Sequence, residues 1–298
     1  MVSITPTVEQ YRSAPFAPAF MARALLPSRA PAQGEGFPQL VLRWSGLRIA
    51  PHHWAAFCAA TGAREAEEVP VLYPHVLGFR LQMALLTHPA FPPPIWRALQ
   101  IRNRLVRHAH IDRADSFELE TRVEGQRQVA KGLEVDLSSH LSRDSACVWE
   151  SRVTYFYPGY HGRFDPDPTA APPRPRPDLS HAPVVERWRM PNGGAWRFGA
   201  LTGDYNGIHW SRWYARRFGF HSAFIHPQRV AGLCLTRLQG PPSEAQTLEL
   251  WLRGPVAYGA SVELAAGIGH DGLQFALSLA GDRRRALIGS WHQGAASD

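Results

Sequence analysis

Residues 203–209 read Gly-Asp-Tyr-Asn-Gly-Ile-His, and this heptad with its flanks decides the fold of the chain. The heptad holds a carboxylate (Asp204), an amide (Asn206) and an imidazole (His209) within six residues. On an α-helix, residues five positions apart do not share a face, and the two glycines are typical of a turn. The pattern therefore predicts a tight loop that aims Asp204 and His209 at one small volume, where an acid–base pair can activate a water molecule.

The heptad lies inside a longer pattern. Phe-Gly-Ala-Leu-Thr occupies residues 198–202, a short helical stretch runs from Trp210 to Phe220, and Phe-Ile-His-Pro at residues 224–227 leads into an apolar helical run. In order and spacing, this pattern resembles the signature of the MaoC-like, or (R)-specific enoyl-thioester hydratase, family. The resemblance implies the hotdog fold, in which a curved antiparallel sheet wraps around a long helix.

The resemblance also implies a reaction and a set of site residues. The reaction is the reversible hydration of a trans-2-enoyl thioester, or the dehydration of a (3R)-hydroxyacyl thioester, by a hydro-lyase that needs no cofactor and no metal. Asp204 and His209 would form the catalytic pair, and Asn206 would orient them. The residues expected to contact the substrate are Gly203, His226 and Gln228.

Two positions depart from the family pattern. Gly207 stands where the family usually has proline, and glycine can still make the turn. Pro227 stands where family members often carry a glycine whose N–H binds the thioester oxygen, and proline has no N–H. We expect the backbone N–H of Gln228, at the start of the helix, to replace that donor, because such donors contribute several kcal/mol to lowering a barrier.

Proline-rich segments divide the chain. Residues 158–183 hold repeated prolines, which exclude a helix or a central strand and are typical of an extended linker. The predicted organisation is an N-terminal arm over 1–40, a first repeat over 41–157, the linker over 158–183 and a second repeat over 184–298. A second proline-rich piece, residues 15–38, is expected to belong to the arm and not to the core.

The two halves share landmarks in the same order. Phe57 to Gly62 parallels Phe198 to Gly203, and in each half an apolar helical run with a nearby histidine follows. Strands are then expected at residues 103–110, 116–123, 128–138, 146–156, 245–252, 261–270, 273–280 and 284–291, because apolar and polar residues alternate there. Helices followed by strands favour an α+β fold, here a tandem (double) hotdog. The first repeat lacks the Asp–His pair, so it is expected to shape a substrate pocket at the seam between the repeats.

Composition limits the partners. The net charge of +7 favours an acidic partner such as coenzyme A phosphates or an acyl carrier protein. No nucleic-acid-binding motif occurs, which argues against nucleic acid, and no apolar run is long enough to span a membrane. The three cysteines, Cys58, Cys147 and Cys234, are expected to be buried thiols. Together with the lack of a secretory signal they predict a cytoplasmic protein, with a homodimer of double-hotdog chains as one possible assembly.

Other readings of the same residues stay open. Asp-Tyr-Asn-Gly is also favourable turn chemistry, which leaves a purely structural role for the heptad. His108 and His110 share a strand face, but no carboxylate or cysteine near them in sequence completes a zinc set. The alternatives to the hydratase are a hotdog thioesterase, and a non-catalytic subunit that binds acyl thioesters or serves in assembly.

Overall fold

The structure, a computed structural model, describes residues 7–26, 37–65, 68–160, 175–241, 243–270, 272–282 and 284–294. The strands are β1 (Thr7–Tyr11), β2 (Leu40–Arg48), β3 (Leu99–Arg107), β4 (Ser116–Val129), β5 (Gly132–Arg143), β6 (Ala146–Pro158), β7 (Val184–Arg189), β8 (Gln246–Leu252), β9 (Ser261–Gly269), β10 (Gly272–Leu279) and β11 (Arg285–Gln293). The α-helices are α1 (Ala17–Arg23), α2 (Pro51–Thr61), α3 (Tyr73–Leu86), α4 (Ala195–Thr202), α5 (Arg212–Arg217) and α6 (Pro227–Leu235). Short 3-10 helices span Ile95–Arg97 and Gly207–His209.

All of these strands belong to one sheet, in the order β1-β2-β4-β5-β6-β3-β8-β11-β10-β9-β7. Apart from β1, the order β2-β4-β5-β6-β3 in the first half matches β7-β9-β10-β11-β8 in the second half, read inward from opposite edges. The two halves meet where β3 pairs with β8 in antiparallel register, with Leu105 opposite Leu248. This symmetry confirms the α+β class and the predicted tandem repeat, with the two half-sheets joined side by side.

The helix that fills the first half-sheet is α3. Thirteen of its fourteen residues, Tyr73–Leu86, are buried, and Arg80 is the exception. The buried residues pack against the sheet or another helix. The corresponding helix of the second half, α6, has only nine residues. It packs so closely on α2 that a Cβ at Gly232 would lie 2.5 Å from Cγ2 of Thr61, so the two halves share one packed layer of helices.

All eight strands expected from alternation are present, with ends shifted by a few residues. Three strands were not predicted, namely β1 and β7, which form the two edges of the sheet, and β2, which lies next to β1. The N-terminal segment also differs from expectation. Strand β1 pairs with β2 in parallel, and Phe20 of α1 is only 2% exposed. The expectation that residues 15–38 contribute nothing to the core is therefore wrong for α1.

The domain boundaries stay predictions. Residues 161–174 of the linker over 158–183, and residues 1–6 and 27–36 of the arm over 1–40, lie outside the described residues. No helix in the described ranges is long and apolar enough to cross a membrane. Cys58 and Cys234 are buried as expected, whereas Cys147, near the start of β6, is exposed.

Candidate active site

A cavity of about 300 Å³ opens at the seam between the two halves of the sheet. Both halves contribute to its wall, which is mostly apolar and carries a few converging polar groups, as is typical of small-molecule sites. The lining residues that matter below are Phe79, Met83, Gln100 and Tyr155 from the first half, and Asp204, Asn206, His209, Phe224, His226 and Pro227 from the second. A pocket at the seam therefore exists where the sequence predicted one.

The loop that carries Asp204 is held by its own hydrogen bonds. Helix α4 ends at Gly203, whose φ of +75° is left-handed and suits glycine. Oδ1 of Asp204 accepts the N–H of Asn206 at 2.9 Å, and Oδ1 of Asn206 accepts the N–H of Ile208 at 3.2 Å. Asn206 thus caps the 3-10 helix that ends in His209 and also orients the carboxylate.

His209 has one ring nitrogen fixed by the backbone. Its Nδ1 lies 3.0 Å from the carbonyl oxygen of Phe224. A carbonyl oxygen only accepts, so Nδ1 carries a proton and the neutral ring has its lone pair on Nε2. That Nε2 lies 3.6 Å from Oδ2 of Asp204, which is too long for a direct hydrogen bond. These two acceptors therefore lie side by side on the cavity wall, close enough for one water molecule in the cavity to donate a proton to each.

His226 has the opposite tautomer. It is the N-cap of α6, and its Nδ1 accepts the backbone N–H of Gln228 at 3.2 Å. The neutral ring therefore carries its proton on Nε2, which lies 3.5 Å from Oδ2 of Asp204. Burial lowers the pKa of His226 from its ordinary value. This effect of burial outweighs the interaction with Asp204, which favours the protonated ring. His226 thus stays neutral and directs an N–H at the carboxylate.

The carboxylate of Asp204 is ionised in this setting. Burial alone would raise its pKa, but the two imidazoles, His209 and His226, outweigh burial when they donate an N–H to the carboxylate and hold its pKa well below the ordinary value. Its charge also acts on the phenol of Tyr155, whose pKa is raised mainly by burial and further by Asp204. The site therefore places one stable negative charge beside two imidazoles and a phenol.

Four of the residues expected at the site come together, and two do not. Asp204, Asn206, His209 and His226 lie on the cavity wall, whereas Gly203 and Gln228 are not among the residues that line it. The backbone N–H of Gln228 is already donated to His226. The expectation that this N–H is free to bind a thioester oxygen is therefore wrong.

The first half contributes two polar residues that were not predicted from the sequence. Gln100 on β3 and Tyr155 on β6 lie opposite each other in the strand register, and both reach the cavity. Finding them needs the pairing of β3 with β6, and neither residue lies in a motif. The signal available in the sequence is only their place in alternating strands.

Gly207 is tightly packed against a neighbouring helix. A Cβ at this position would lie 2.7 Å from two ring carbons of Tyr214. Glycine here lets helix α5, which carries Tyr214, approach the 3-10 helix that positions His209.

Two groups of side chains have metal-compatible spacing in the described parts of the chain. The first, Asp204, His209 and His226, has its ligand atoms within 4.8 Å of one another. A metal on Nε2 of His226 would force a proton onto Nδ1, where the N–H of Gln228 already points. The tautomer therefore opposes ligation, since a metal-binding histidine ordinarily donates its other N–H.

The second group corrects an expectation. His108 lies near Cys147 and Glu150, which the fold brings from β6, so a thiol and a carboxylate do accompany this histidine. Although the residue is exposed, partial desolvation of its thiol, and secondarily the charge of Glu150, raises the pKa of Cys147. The thiol is thus held in its protonated form, which is the poor ligand form.

Comparison with known proteins gives the relatives of the chain. No family model matches it. It is 29% identical over 231 residues to 3-hydroxyacyl-thioester dehydratase X of Mycobacterium tuberculosis, a match that covers 78% of this chain and 81% of that protein. The crystal structure of the same dehydratase, HtdX, matches with a TM-score of 0.71 and 24% identity, covering 85% of this chain and 99% of that chain.

Two more distant structures share the fold. A MaoC-like dehydratase from Phytophthora capsici matches with a TM-score of 0.67 and 15% identity, over 86% of this chain and 96% of that chain. A Mycobacterium tuberculosis protein with a double hotdog fold matches with a TM-score of 0.54 and 17% identity, over 87% of this chain and 94% of that chain. The expected double hotdog fold is thereby confirmed.

Proposed function

We propose that this chain, a relative of the MaoC-like dehydratases that carries their double hotdog fold, is a hydro-lyase acting on acyl thioesters. Its reaction is the reversible hydration of a trans-2-enoyl thioester to a (3R)-hydroxyacyl thioester. One observation carries the proposal: Oδ2 of Asp204 and Nε2 of His209, both acceptors, lie 3.6 Å apart on the wall of the seam cavity. Such a pair holds one water by both of its protons and leaves an oxygen lone pair for attack.

The mechanism follows from the tautomers. The water oxygen attacks the β-carbon of the enoyl group while one of its protons passes to the Asp204–His209 pair. The electrons of the carbon–carbon double bond move toward the thioester carbonyl, and the α-carbon then gains a proton. In the reverse direction, the pair accepts a proton from the α-carbon and returns one to the departing hydroxyl. The N–H of His226 keeps Asp204 ionised and in place during these transfers.

Substrate entry involves both halves of the chain. Apolar side chains such as Phe79 and Met83 line the cavity and suit an acyl chain. A cavity of about 300 Å³ holds an acyl group and leaves its carrier outside. Coenzyme A and an acyl carrier protein therefore both fit. A cytoplasmic location and a homodimer remain parts of this proposal; the free state of all three cysteines supports a reducing compartment.

The test is a direct assay of hydration. Purified protein is mixed with trans-2-enoyl-CoA substrates of short, long and branched chains, and the loss of enoyl-thioester absorbance is followed. We expect turnover that Asp204→Asn abolishes, because the variant keeps the shape of the side chain but loses its charge. Asp144→Asn is the matched control. Asp144 is exposed at a turn with φ of +49°, a conformation that asparagine also tolerates.

The alternative functions give different results in the same assay. A thioesterase releases free thiol, which a thiol reagent detects, and leaves the double bond intact. A binding subunit holds enoyl-CoA without consuming it. Full activity in a folded Asp204→Asn protein would refute the assignment of the acid–base pair.

A further inference from the structure

The thioester oxygen lacks its expected donor in this chain. As water adds to the β-carbon, negative charge builds up on the carbonyl oxygen, and a donor aimed at that oxygen lowers the barrier. Pro227 has no N–H, and the N–H of Gln228 is donated to His226 at 3.2 Å. The start of α6 therefore offers no free backbone donor at its first two positions, so the donor must come from another part of the cavity wall.

Gln100 is placed on that wall by an irregularity of its strand. The pairing of β3 with β6 shifts register between Gln100 and Arg102, and such bulges re-aim side chains beside active sites. The pairing of β3 with β8 begins only at Arg102. Gln100 thus lies where the two half-sheets part, and its side chain lines the cavity together with Asp204 and Pro227.

Hydrogen bonds fix the orientation of the Gln100 amide. Its Oε1 accepts Nε2–H of Gln228 at 2.5 Å, and its Nε2 donates to the hydroxyl of Tyr155 at 3.4 Å. That hydroxyl donates its own proton to Oε1 of Gln82 at 3.2 Å, so its oxygen is free to accept. A primary amide has two N–H groups. One is used by Tyr155, which leaves the other for a ligand in the cavity.

A continuous series of contacts links this amide to the catalytic carboxylate. Asp204 contacts His226 at 3.5 Å, His226 accepts the N–H of Gln228, and the side chain of Gln228 binds Gln100. The series closes through Tyr155, which Gln100 contacts and whose phenol lies within the electrostatic reach of Asp204. Gln100 therefore belongs to the same small volume as Asp204 but enters it from the other repeat.

We propose that the free N–H of the Gln100 amide binds the thioester carbonyl oxygen in place of the backbone N–H that Pro227 lacks. Gln228 is then a positioning residue, which holds Oε1 of Gln100 so that Nε2 faces the substrate. The amide neither gains nor loses a proton. It stabilises the enolate oxygen while the hydroxyl bonds to the β-carbon, and releases it when the α-carbon is protonated. This inference rests on the proposed hydratase function.

Two substitutions at Gln100 test the donor. Gln100→Glu keeps the length of the side chain and an oxygen to accept from Gln228, but has no N–H, whereas Gln100→Leu removes both. For each we expect kcat to fall about 10²–10³-fold, the loss typical of one oxyanion donor, with KM changed much less. Gln10→Leu, on the exposed strand β1, is the control and should keep wild-type kcat. Unfolding curves establish that the variants are folded.

Second-site substitutions test the same donor by rescue and by loss of additivity. Pro227→Gly restores a backbone N–H at the family position, so in the Gln100→Leu background it should recover kcat at least about tenfold. Gln228→Met should lower kcat by releasing Gln100, and this loss should disappear when Gln100 is already leucine. Wild-type kcat in folded Gln100→Glu and Gln100→Leu proteins would overturn the inference.

A spectroscopic readout works without turnover. A 2,4-dienoyl-CoA absorbs at longer wavelength when its carbonyl is polarised, so it is bound to the Asp204→Asn protein and its spectrum is recorded. We expect a red shift that vanishes when Gln100→Leu is added. An unchanged shift would overturn the role of Gln100 alone. Full turnover in Asp204→Asn would instead refute the hydratase mechanism, so the two failures are distinguishable.

Discussion

Nε2 of His226 lies 3.5 Å from Oδ2 of Asp204, the same carboxylate oxygen that Nε2 of His209 approaches to 3.6 Å. The two imidazoles differ in tautomer, because one is fixed by a carbonyl oxygen and the other by a backbone N–H. His226 therefore offers a proton to Asp204, and His209 offers a lone pair. Oδ2 of Asp204 thus has the N–H of His226 on one side and the lone pair of His209 on the other.

The first prediction separates the two roles of His226. Asparagine is a good N-cap residue, so His226→Asn should keep the start of α6 while removing the N–H directed at Asp204. At 3.5 Å this N–H makes only a weak contact with the carboxylate, so we expect kcat to fall about tenfold with little change in the free energy of unfolding. His226→Ala should lose a further ~1 kcal/mol of stability with the cap. If kcat is unchanged in His226→Asn, His226 only caps the helix.

The second prediction concerns the close approach at Gly207. In Gly207→Ala, the new methyl group would lie 2.7 Å from the ring of Tyr214, so either α5 or the 3-10 helix must move. We expect a loss of about 1–3 kcal/mol in unfolding free energy, as for other overpacked sites, and reduced kcat because His209 shifts. Gly267→Ala, where a Cβ meets nothing within 4 Å, is the control. Adding Tyr214→Leu should recover part of the loss, and no recovery would show that the ring is not the obstacle.

Local features of the sequence predicted the loop that carries Asp204 and His209, whereas the rest of the cavity wall depends on long-range strand pairing. The glycines and short polar residues of 203–209 specify a turn by themselves, so Asp204 and His209 could be placed without the fold. Gln100 reaches the cavity only because β3 pairs with β6 and then breaks register. Such pairing depends on contacts between distant residues, which alternation within one strand does not encode.

The occupied N–H of Gln228 has a related cause. Sequence predicted a helix starting at Pro227, and an N-terminal N–H of a helix is ordinarily free. The side chain of His226 takes that donor because the ring is turned back as an N-cap, a rotamer that neighbouring residues and buried packing decide. The edge strands β1 and β7 escaped prediction for a simpler reason: they are short and mostly exposed, so their alternation is weak.

The third prediction is a pH dependence of stability caused by His75. Burial lowers the pKa of His75 from its ordinary value to about 3. Below pH ~6.5 the unfolded chain takes up a proton at this position and the folded chain does not. Stability should therefore fall as the pH drops from 7 toward 3.

The measurement is the free energy of unfolding in urea at pH 7 and at pH 5, for the wild type and for His75→Gln. The wild type should lose about 2 kcal/mol more than the variant over this interval. His221→Gln, at an exposed position, is the control variant for a histidine-to-glutamine change. An equal pH dependence in His75→Gln would mean that the buried ring is not the cause.

The fourth prediction connects the N-terminal segment to the active-site loop. The ring of Phe20 packs against the backbone at Gly203, where a Cβ would lie 2.8 Å from its Cζ, and the side chain is 2% exposed. Phe20→Ala should lower the free energy of unfolding by about 3 kcal/mol or more. It should also lower kcat, because small displacements of catalytic groups are costly.

Phe16→Ala is the matched control: Phe16 precedes the same helix but is 71% exposed, so its removal should change stability by no more than ~0.5 kcal/mol. Normal kcat in a destabilised Phe20→Ala protein would show that the segment supports the core without positioning Asp204.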